Sequence, residues 1–303
     1  MRCEAGRRNF NLTEVAAALF TSQSGVSKHI KDLEDELGIE LFVRRGKKLL
    51  GLTDPGKELV AIVERMLLDA KNIKQLAEQF SNRDQGRLSI ATTHTQARYV
   101  LPKVVEEFKT QFPKVHLVLH QGGPQEILAM LNSGEADIGI ASEGLDESAQ
   151  FATFPYYEWQ HVVVVPEHHP LASAVRLSLA DIAQYPIITY HEGLTGRAKI
   201  DKAFADAELV PDIVLSALDA DVIKTYTELG LGVGILARMA FDENRDHGLR
   251  LINCKHLFEP NVTRIALRKG DYLRGFTARF IELCAPKLTD TVVRAAMSPH
   301  RED

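Results

Sequence analysis

Gln23, Ser24, Ser27, Lys28 and Lys31 share the polar side of one helix-length stretch, and their types suit hydrogen bonding to nucleic-acid base edges. The short ones sit in the first turn, where a helix lying in the major groove presents side chains to the bases. Opposite them, Val26, Ile30, Leu33 and Leu37 recur at steps of four, three and four, which stacks them on one side and predicts that this side is buried. Ser22 caps the first turn through its hydroxyl, and Gly38 closes the last in a left-handed conformation. Taken alone, the stretch fits an ordinary amphipathic surface helix equally well. Its neighbours decide.

Asn11 followed by Glu14 reads as a helix start, and Leu12, Val15, Ala16 and Leu19 form an apolar face suited to crossing by a second helix. Thr21-Ser22-Gln23 breaks that helix and begins the next, which makes a helix-turn-helix unit. Leu41 to Leu52 then reads as a hairpin with apolar arms and the basic tip Arg44-Arg45-Gly46-Lys47-Lys48. Beside a helix-turn-helix, such a wing puts Arg44 and Arg45 within reach of phosphates or a minor groove. Thr53-Asp54-Pro55 opens a further helix in which Leu59, Val63, Met66, Ala70, Ile73, Ala77 and Phe80 alternate by four and three. That heptad seam predicts pairing with the same helix of a second chain, because a head of some 50 residues has too little core to bury it.

A second set of chemistry-bearing residues lies further on. After the polar linker Ser81 to Gly86 the period changes to alternating strands and helices, which predicts two small α/β lobes with parallel sheets facing a cleft. Ala91 to Tyr99 passes from a strand end into a helix start, where Thr93, Thr95 and Gln96 can join backbone N–H groups in holding an anion. Leu194-Thr195-Gly196-Arg197 offers a hydroxyl and free amides at another helix start, and Ser142 ends a third strand. Without the two-lobe arrangement these threonines read as ordinary helix caps. The Gly230, Gly232, Gly234 run leaves a helix and enters a strand, the reverse of a dinucleotide fingerprint. His116, His120, His168 and His169 have no acidic or cysteine partners at ligand spacing, so no metal is expected. No nucleophile and base stand paired, so no catalytic residue or cofactor is assigned.

The 303 residues suffice for about two domains, and 45% hydrophobic and 25% charged residues are those of a globular protein. A net charge of −5 argues against coating nucleic acid along the whole surface, which leaves a small cationic head on a neutral or acidic body. Cys3, Cys254 and Cys284 are too scattered for a disulfide framework or a zinc site. With no apolar run of membrane length and no export signal, a cytoplasmic location is expected.

Thr21-Ser22-Gln23 through Leu37-Gly38, the wing, Leu52-Thr53-Asp54-Pro55-Gly56 and Ser133-Gly134-Glu135-Ala136-Asp137-Ile138 resemble the LysR-type transcriptional regulators. Thr92 to Tyr99, Thr195-Gly196-Arg197 and Asp219 to Tyr226 resemble the sulfur-assimilation branch of that family, the CysB and Cbl type. The resemblance implies an α/β fold: a winged helix-turn-helix over 1–53, a dimerising linker helix over 54–85, and a two-lobed effector domain over 86–303 like a type II periplasmic binding protein. Lobe I would take about 86–158 and 267–303, and lobe II about 159–266. It implies DNA contacts at Gln23, Ser24, Ser27 and Lys28 with Arg44 or Arg45, and effector contacts at Thr93, Thr95, Gln96, Thr195 and Ser142, the last standing where threonine is usual. The implied partners are promoter DNA, RNA polymerase, further copies in a dimer or tetramer, and N-acetylserine, O-acetylserine, sulfate or thiosulfate. One departure is Met1 to Asn9, which is short, basic and nearly free of apolar residues where the family carries a full first helix. Met1 is therefore expected to be an internal methionine. The rival readings, a solute-binding protein or an enzyme on the same two-lobe scaffold, sit poorly with the basic wing.

Overall fold

The computed structural model of the chain describes residues 11–46, 48–81, 85–146, 148–174 and 176–298. The expectation about Met1 to Asn9 lies outside these residues, as do Lys47 of the wing tip and Asn82, Arg83 and Asp84 of the linker. Two compact units divide after Lys74.

In the first unit, helix α1 (Leu12–Ala18) starts at Asn11, whose side chain accepts the N–H groups of Thr13 and Glu14 and donates to the Glu14 carboxylate. Helix α2 (Gln23–Leu37) starts at Ser22, whose hydroxyl accepts the Gly25 N–H at 3.1 Å, and ends on Gly38 in the left-handed region. Leu12, Val15 and Ala16 pack with Val26, Ile30, Leu41, Phe42 and Leu49. The expected stripe is buried only over its first half. Leu33 and Leu37 stay 42% and 44% exposed and Leu19 39%, because among the described residues nothing covers that end. Leu33 instead rims an apolar hollow shared with Leu12, Leu41 and Leu59.

Strands β1 (Phe42–Arg45) and β2 (Lys48–Leu52) form the expected antiparallel hairpin, with Gly46 at positive φ in its turn. Helix α3 (Asp54–Ser81) follows. The Thr53 hydroxyl accepts the Gly56 N–H and donates to the Glu40 carbonyl, which ties the start of α3 to the wing. Val60 is buried against the head, but Met66, Ile73 and Phe80 of the seam are 64%, 68% and 71% exposed. Among the described residues no helix is long and apolar enough to cross a membrane.

The second unit carries two five-stranded sheets. The first, in the order β4-β3-β5-β12-β6, comprises β3 (Gly86–Thr92), β4 (Val115–Gln121), β5 (Ile138–Ala141), β6 (Phe151–Trp159) and β12 (Asn261–Arg268). The second, in the order β11-β7-β10-β8-β9, comprises β7 (His161–Pro166), β8 (Ile187–Tyr190), β9 (Ile213–Ala217), β10 (Val233–Ala237) and β11 (Leu249–Ile252). Helices α4 (Leu101–Gln111), α5 (Pro124–Ser133), α9 (Gly275–Cys284) and α10 (Asp290–Met297) belong to the first lobe. Helices α6 (Leu179–Ile182), α7 (Arg197–Asp206) and α8 (Ala220–Glu228) belong to the second. Leu88, Ile90, Leu101, Phe108, Ile265 and Phe280 sit at the centre of one core, and Val163, Ile187, Ile200, Phe204 and Ile235 at that of the other.

Three expectations need correction. The sheets are mixed, because β12 runs antiparallel to β5 and β6, and β7 antiparallel to β10 and β11. Strand β12 belongs wholly to the first lobe, so the return crossing lies before Asn261 rather than near residue 267. Strand β6 went unexpected because Pro155 interrupts it and its burial does not alternate. The glycine run is structural: a Cβ on Gly234 would lie 2.6 Å from both the Thr227 hydroxyl and Val164.

A Cβ on Gly56 would collide with the Leu41 carbonyl oxygen. Gly56→Ala is expected to cost the first unit about 1–3 kcal/mol, the range of overpacked contacts. Chemical denaturation followed by circular dichroism measures this; an unchanged midpoint would show that α3 does not press on the wing.

Candidate functional site

The first candidate site is the outer face of α2 with the wing. Gln23, Ser24, Lys28 and Lys31 are exposed and Ser27 is half-buried, which leaves the expected polar face open. Arg44 and Arg45 are both exposed, and Arg44 is drawn towards α2: its Nη2 lies 2.5 Å from Glu34 Oε2. Glu34 Oε1 also accepts the N–H groups of Leu41 and Phe42 at 2.9 and 3.2 Å. One carboxylate therefore fixes the wing to α2. Its position on the polar side of α2 gave no sign of that role.

The second lies between the lobes. A π-helical turn, Gln96–Val100, follows β3 and widens the backbone where Gln96 must point inward. Gln96 Nε2 donates to Thr263 Oγ1 at 3.3 Å, and its Oε1 accepts from the Tyr157 hydroxyl at 2.5 Å. Ser142 Oγ and Thr263 Oγ1 are 3.0 Å apart, and the indole N–H of Trp159 reaches both at 3.1 Å. Thr95 is 1% exposed and Thr93 6%. Thr95 Oγ1 lies near the Tyr190 hydroxyl of the second lobe, yet among the described residues it makes no hydrogen bond of good geometry. A buried hydroxyl left this way costs about 1–3 kcal/mol unless another group meets it.

From the second lobe, Thr195 is buried and holds φ +45, a strained conformation for a β-branched residue of the kind that clusters at functional sites. His161 helps hold it there. Because a carbonyl only accepts, His161 Nε2–H donates to the Thr195 oxygen at 3.1 Å, which leaves Nδ1 facing Asn261 Nδ2 at 3.5 Å. Gly196 follows at φ +72, and a Cβ there would strike Asn261 and His161 at 2.6 and 2.7 Å, so no other residue fits. The expectation of free amides at this helix start fails for Gly196 and Arg197. The Arg197 N–H is taken by the Leu194 carbonyl, and the Gly196 N–H by Glu143 Oε1, which reaches across from the first lobe. The Arg197 side chain is likewise engaged, with Asp201 and the Tyr190 carbonyl.

The structure thus brings Thr93, Thr95, Gln96, Ser142 and Thr195 to one interlobe region, as the two-lobe reading requires. Tyr157, Trp159, His161, Thr263 and Glu143 complete it and were not expected. The chain's single tryptophan was the one available signal. A second clasp joins the lobes: Tyr99 OH donates to Asp221 Oδ1 at 2.7 Å, Arg98 Nε meets Asp221 Oδ2 at 3.3 Å, and Lys224 Nζ lies between Asp221 and Asp246. Among the described residues no group of acidic, histidine and cysteine side chains is placed to hold a metal.

The helix-turn-helix model of the bacterial regulatory lysR family matches residues 4–57, and the LysR substrate binding domain model matches 81–289. The chain belongs to the LysR family of transcriptional regulators. It is 57% identical over 290 residues to the HTH-type transcriptional regulator SsuR of Burkholderia cenocepacia, covering 96% of this chain and 94% of that protein. It is 52% identical over 301 residues to the regulator Cbl of Escherichia coli, covering 99% and 95%. Among solved structures, the cofactor-binding domain of the Cbl transcriptional regulator matches with a TM-score of 0.69 at 47% identity, over 71% of this chain and 95% of that one. The sulfur-assimilation branch that the Thr92 to Tyr99 stretch resembles is thus the branch these relatives occupy.

Burial drives the pKa of His161 down to about 4, the Thr195 carbonyl opposing the shift and the charge of Lys199 adding to it. The unfolded chain, with an ordinary histidine near 6.5, takes up the proton first on acidification. Stability is therefore complete above pH 6.5 and falls as pH drops towards 4, by roughly 3 kcal/mol from this residue. Urea unfolding across that window should show the slope in the native protein and a flatter one in His161→Gln; equal slopes would deny His161 the neutral form.

Proposed function

We propose that this protein regulates transcription of sulfur-assimilation and cysteine-biosynthesis genes, reading promoter DNA with α2 and the wing and binding a sulfur-pathway metabolite between the lobes. The observation that carries the second half is Thr95: it is 1% exposed, its hydroxyl makes no hydrogen bond of good geometry among the described residues, and it sits next to Gln96 in the first lobe and near Tyr190 of the second. Hydroxyls and amides so placed bind an anionic group without a full counter-charge. The effector class is N-acetylserine, O-acetylserine, sulfate or thiosulfate. Relatives named SsuR, Cbl and CysB, between 50% and 57% identical, support the gene class.

For the first half, Gln23, Ser24, Ser27, Lys28 and Lys31 face the bases and their flanks, with Arg45 on the phosphates and Arg44 steadied by Glu34. The exposed seam Met66, Ile73 and Phe80 pairs α3 with its counterpart in a second copy. Two such dimers make the tetramer, which works with RNA polymerase in the cytoplasm. An effector changes promoter binding only as far as it favours one arrangement of subunits over another.

Two measurements test this. A thermal-shift series on the full chain with the four compounds should show stabilisation by at least one, and Thr95→Ala should abolish it. A Thr95→Ala protein that responds like the native one would move the pocket elsewhere. For the DNA face, Gln23→Ala should weaken binding to the target promoter about 5- to 100-fold while sparing random DNA, as loss of a base contact does. Arg45→Ala should weaken both and lower the salt dependence by about one counterion. Equal losses on both DNAs for Gln23→Ala would remove it from the bases.

A further inference from the structure

Glu143 follows Ser142 at the end of β5 and spans the gap between lobes: its Oε1 accepts the N–H of Gly196, the residue after Thr195. Its Oε2 is buried and has no hydrogen-bond partner among the described residues. The described donors nearby bond elsewhere and not to Oε2. Gly196 serves Oε1, Lys199 Nζ donates to the Pro260 carbonyl, the indole N–H of Trp159 serves Ser142 and Thr263, and Arg197 is held by Asp201 and Tyr190. An ionised carboxyl oxygen cut off from water needs a proton donor, and none of the described residues gives it one.

The hydroxyl cluster alone cannot tell one anion from another, since hydroxyls and amides serve any oxyanion. A carboxylate beside it can. Sulfate and thiosulfate carry no hydrogen at neutral pH, so each brings only negative charge towards Glu143, whereas an acylated amino acid also brings nitrogen. We propose that Glu143 determines effector specificity, its Oε2 accepting an N–H of the effector, so that the site selects a nitrogen-bearing acylated amino acid over a bare sulfur oxyanion. This rests on the interlobe effector site described above. An ammonium makes the stronger bond because charge assists it, and an amide N–H makes the same bond more weakly. Burial raises the Glu143 carboxyl above the ordinary range against the pull of the Gly196 N–H and Lys199, in keeping with an oxygen that lacks a donor.

The test is calorimetric titration of the full chain with O-acetyl-L-serine, N-acetyl-L-serine, sulfate and thiosulfate, in the native protein and in Glu143→Gln. The amide keeps an oxygen for Gly196 and presents NH2 where Oε2 stood. The native protein should prefer the acetylserines, the ammonium-bearing compound or the amide-bearing one showing which donor is used. Glu143→Gln should weaken that compound about tenfold or more, the loss of a hydrogen bond to a charged group, and should tighten sulfate and thiosulfate. Native preference for the oxyanions, or a variant that shifts all four compounds equally, overturns the proposal. If the native protein binds none of the four, the effector site itself is wrong; if it binds them and the ratio survives substitution, only the role of Glu143 falls. Glu143→Asp, which withdraws the carboxylate by one carbon, should lose the acetylserine without gaining the oxyanion, and it decides the matter where the glutamine variant does not fold.

Discussion

The indole N–H of Trp159, shared between Ser142 and Thr263, is the interaction on which the interlobe region depends. Ser142 ends β5, Thr263 lies in β12, and Trp159 is the last residue of β6 before the chain leaves the first lobe. The indole can only donate; Thr263 Oγ1 accepts from it and from Gln96 Nε2, so its own hydrogen goes to Ser142 Oγ, and only the Ser142 hydrogen is left uncommitted. Gln96 joins through Thr263 and Tyr157, which locks its amide one way round. A buried network of this kind is rigid when complete and costly when broken, so each member sets the geometry of the next. His161, two residues after Trp159, carries the constraint into the second lobe by holding the Thr195 carbonyl, with the two rings edge to face 5.0 Å apart.

Two stretches that carry the resemblance to the sulfur-assimilation branch meet in space. Arg98 and Tyr99 close one, Asp221 and Lys224 lie in the other, and the four form a single charged clasp in which Lys224 also lies 5.3 Å from the Tyr99 ring centroid. Lys224 is buried, and its charge is met by Asp221, Asp246 and the Ala240 carbonyl, a partnering without which its burial would be prohibitive. Two motifs so far apart in sequence thus each supply half of one interlobe contact.

Periodicity made the head, the wing, the long helix and most strands of both lobes legible, because each rests on local rules of capping, turn chemistry and alternation. It failed where a partner outside the local window decides. Leu33 and Leu37 have the spacing of core residues, yet whether they are covered depends on what lies over that end of α2. Strand β6 is held in place by its ladder with β12, over a hundred residues away, despite an internal proline. Thr93, Thr95, Gln96, Ser142 and Thr195 could be singled out because they sit at strand ends and helix starts, but position alone reads as helix capping, and only the family resemblance points to an effector. Tyr157, Trp159, His161 and Thr263 could not be singled out, since inward-facing positions on a strand look alike whether they build a core or a binding wall. Glu143 was invisible for a further reason: its partner, the Gly196 amide, belongs to the other lobe.

The chain passes between the lobes twice, once at Gln160 between β6 and β7 and once between β11 and β12. Two adjacent tethers act as the pins of a door. They resist shear and torsion and leave opening about the line that joins them as the compliant direction. Trp159 and His161 stand on either side of one pin, so a turn about it would alter the edge-to-face contact of their rings.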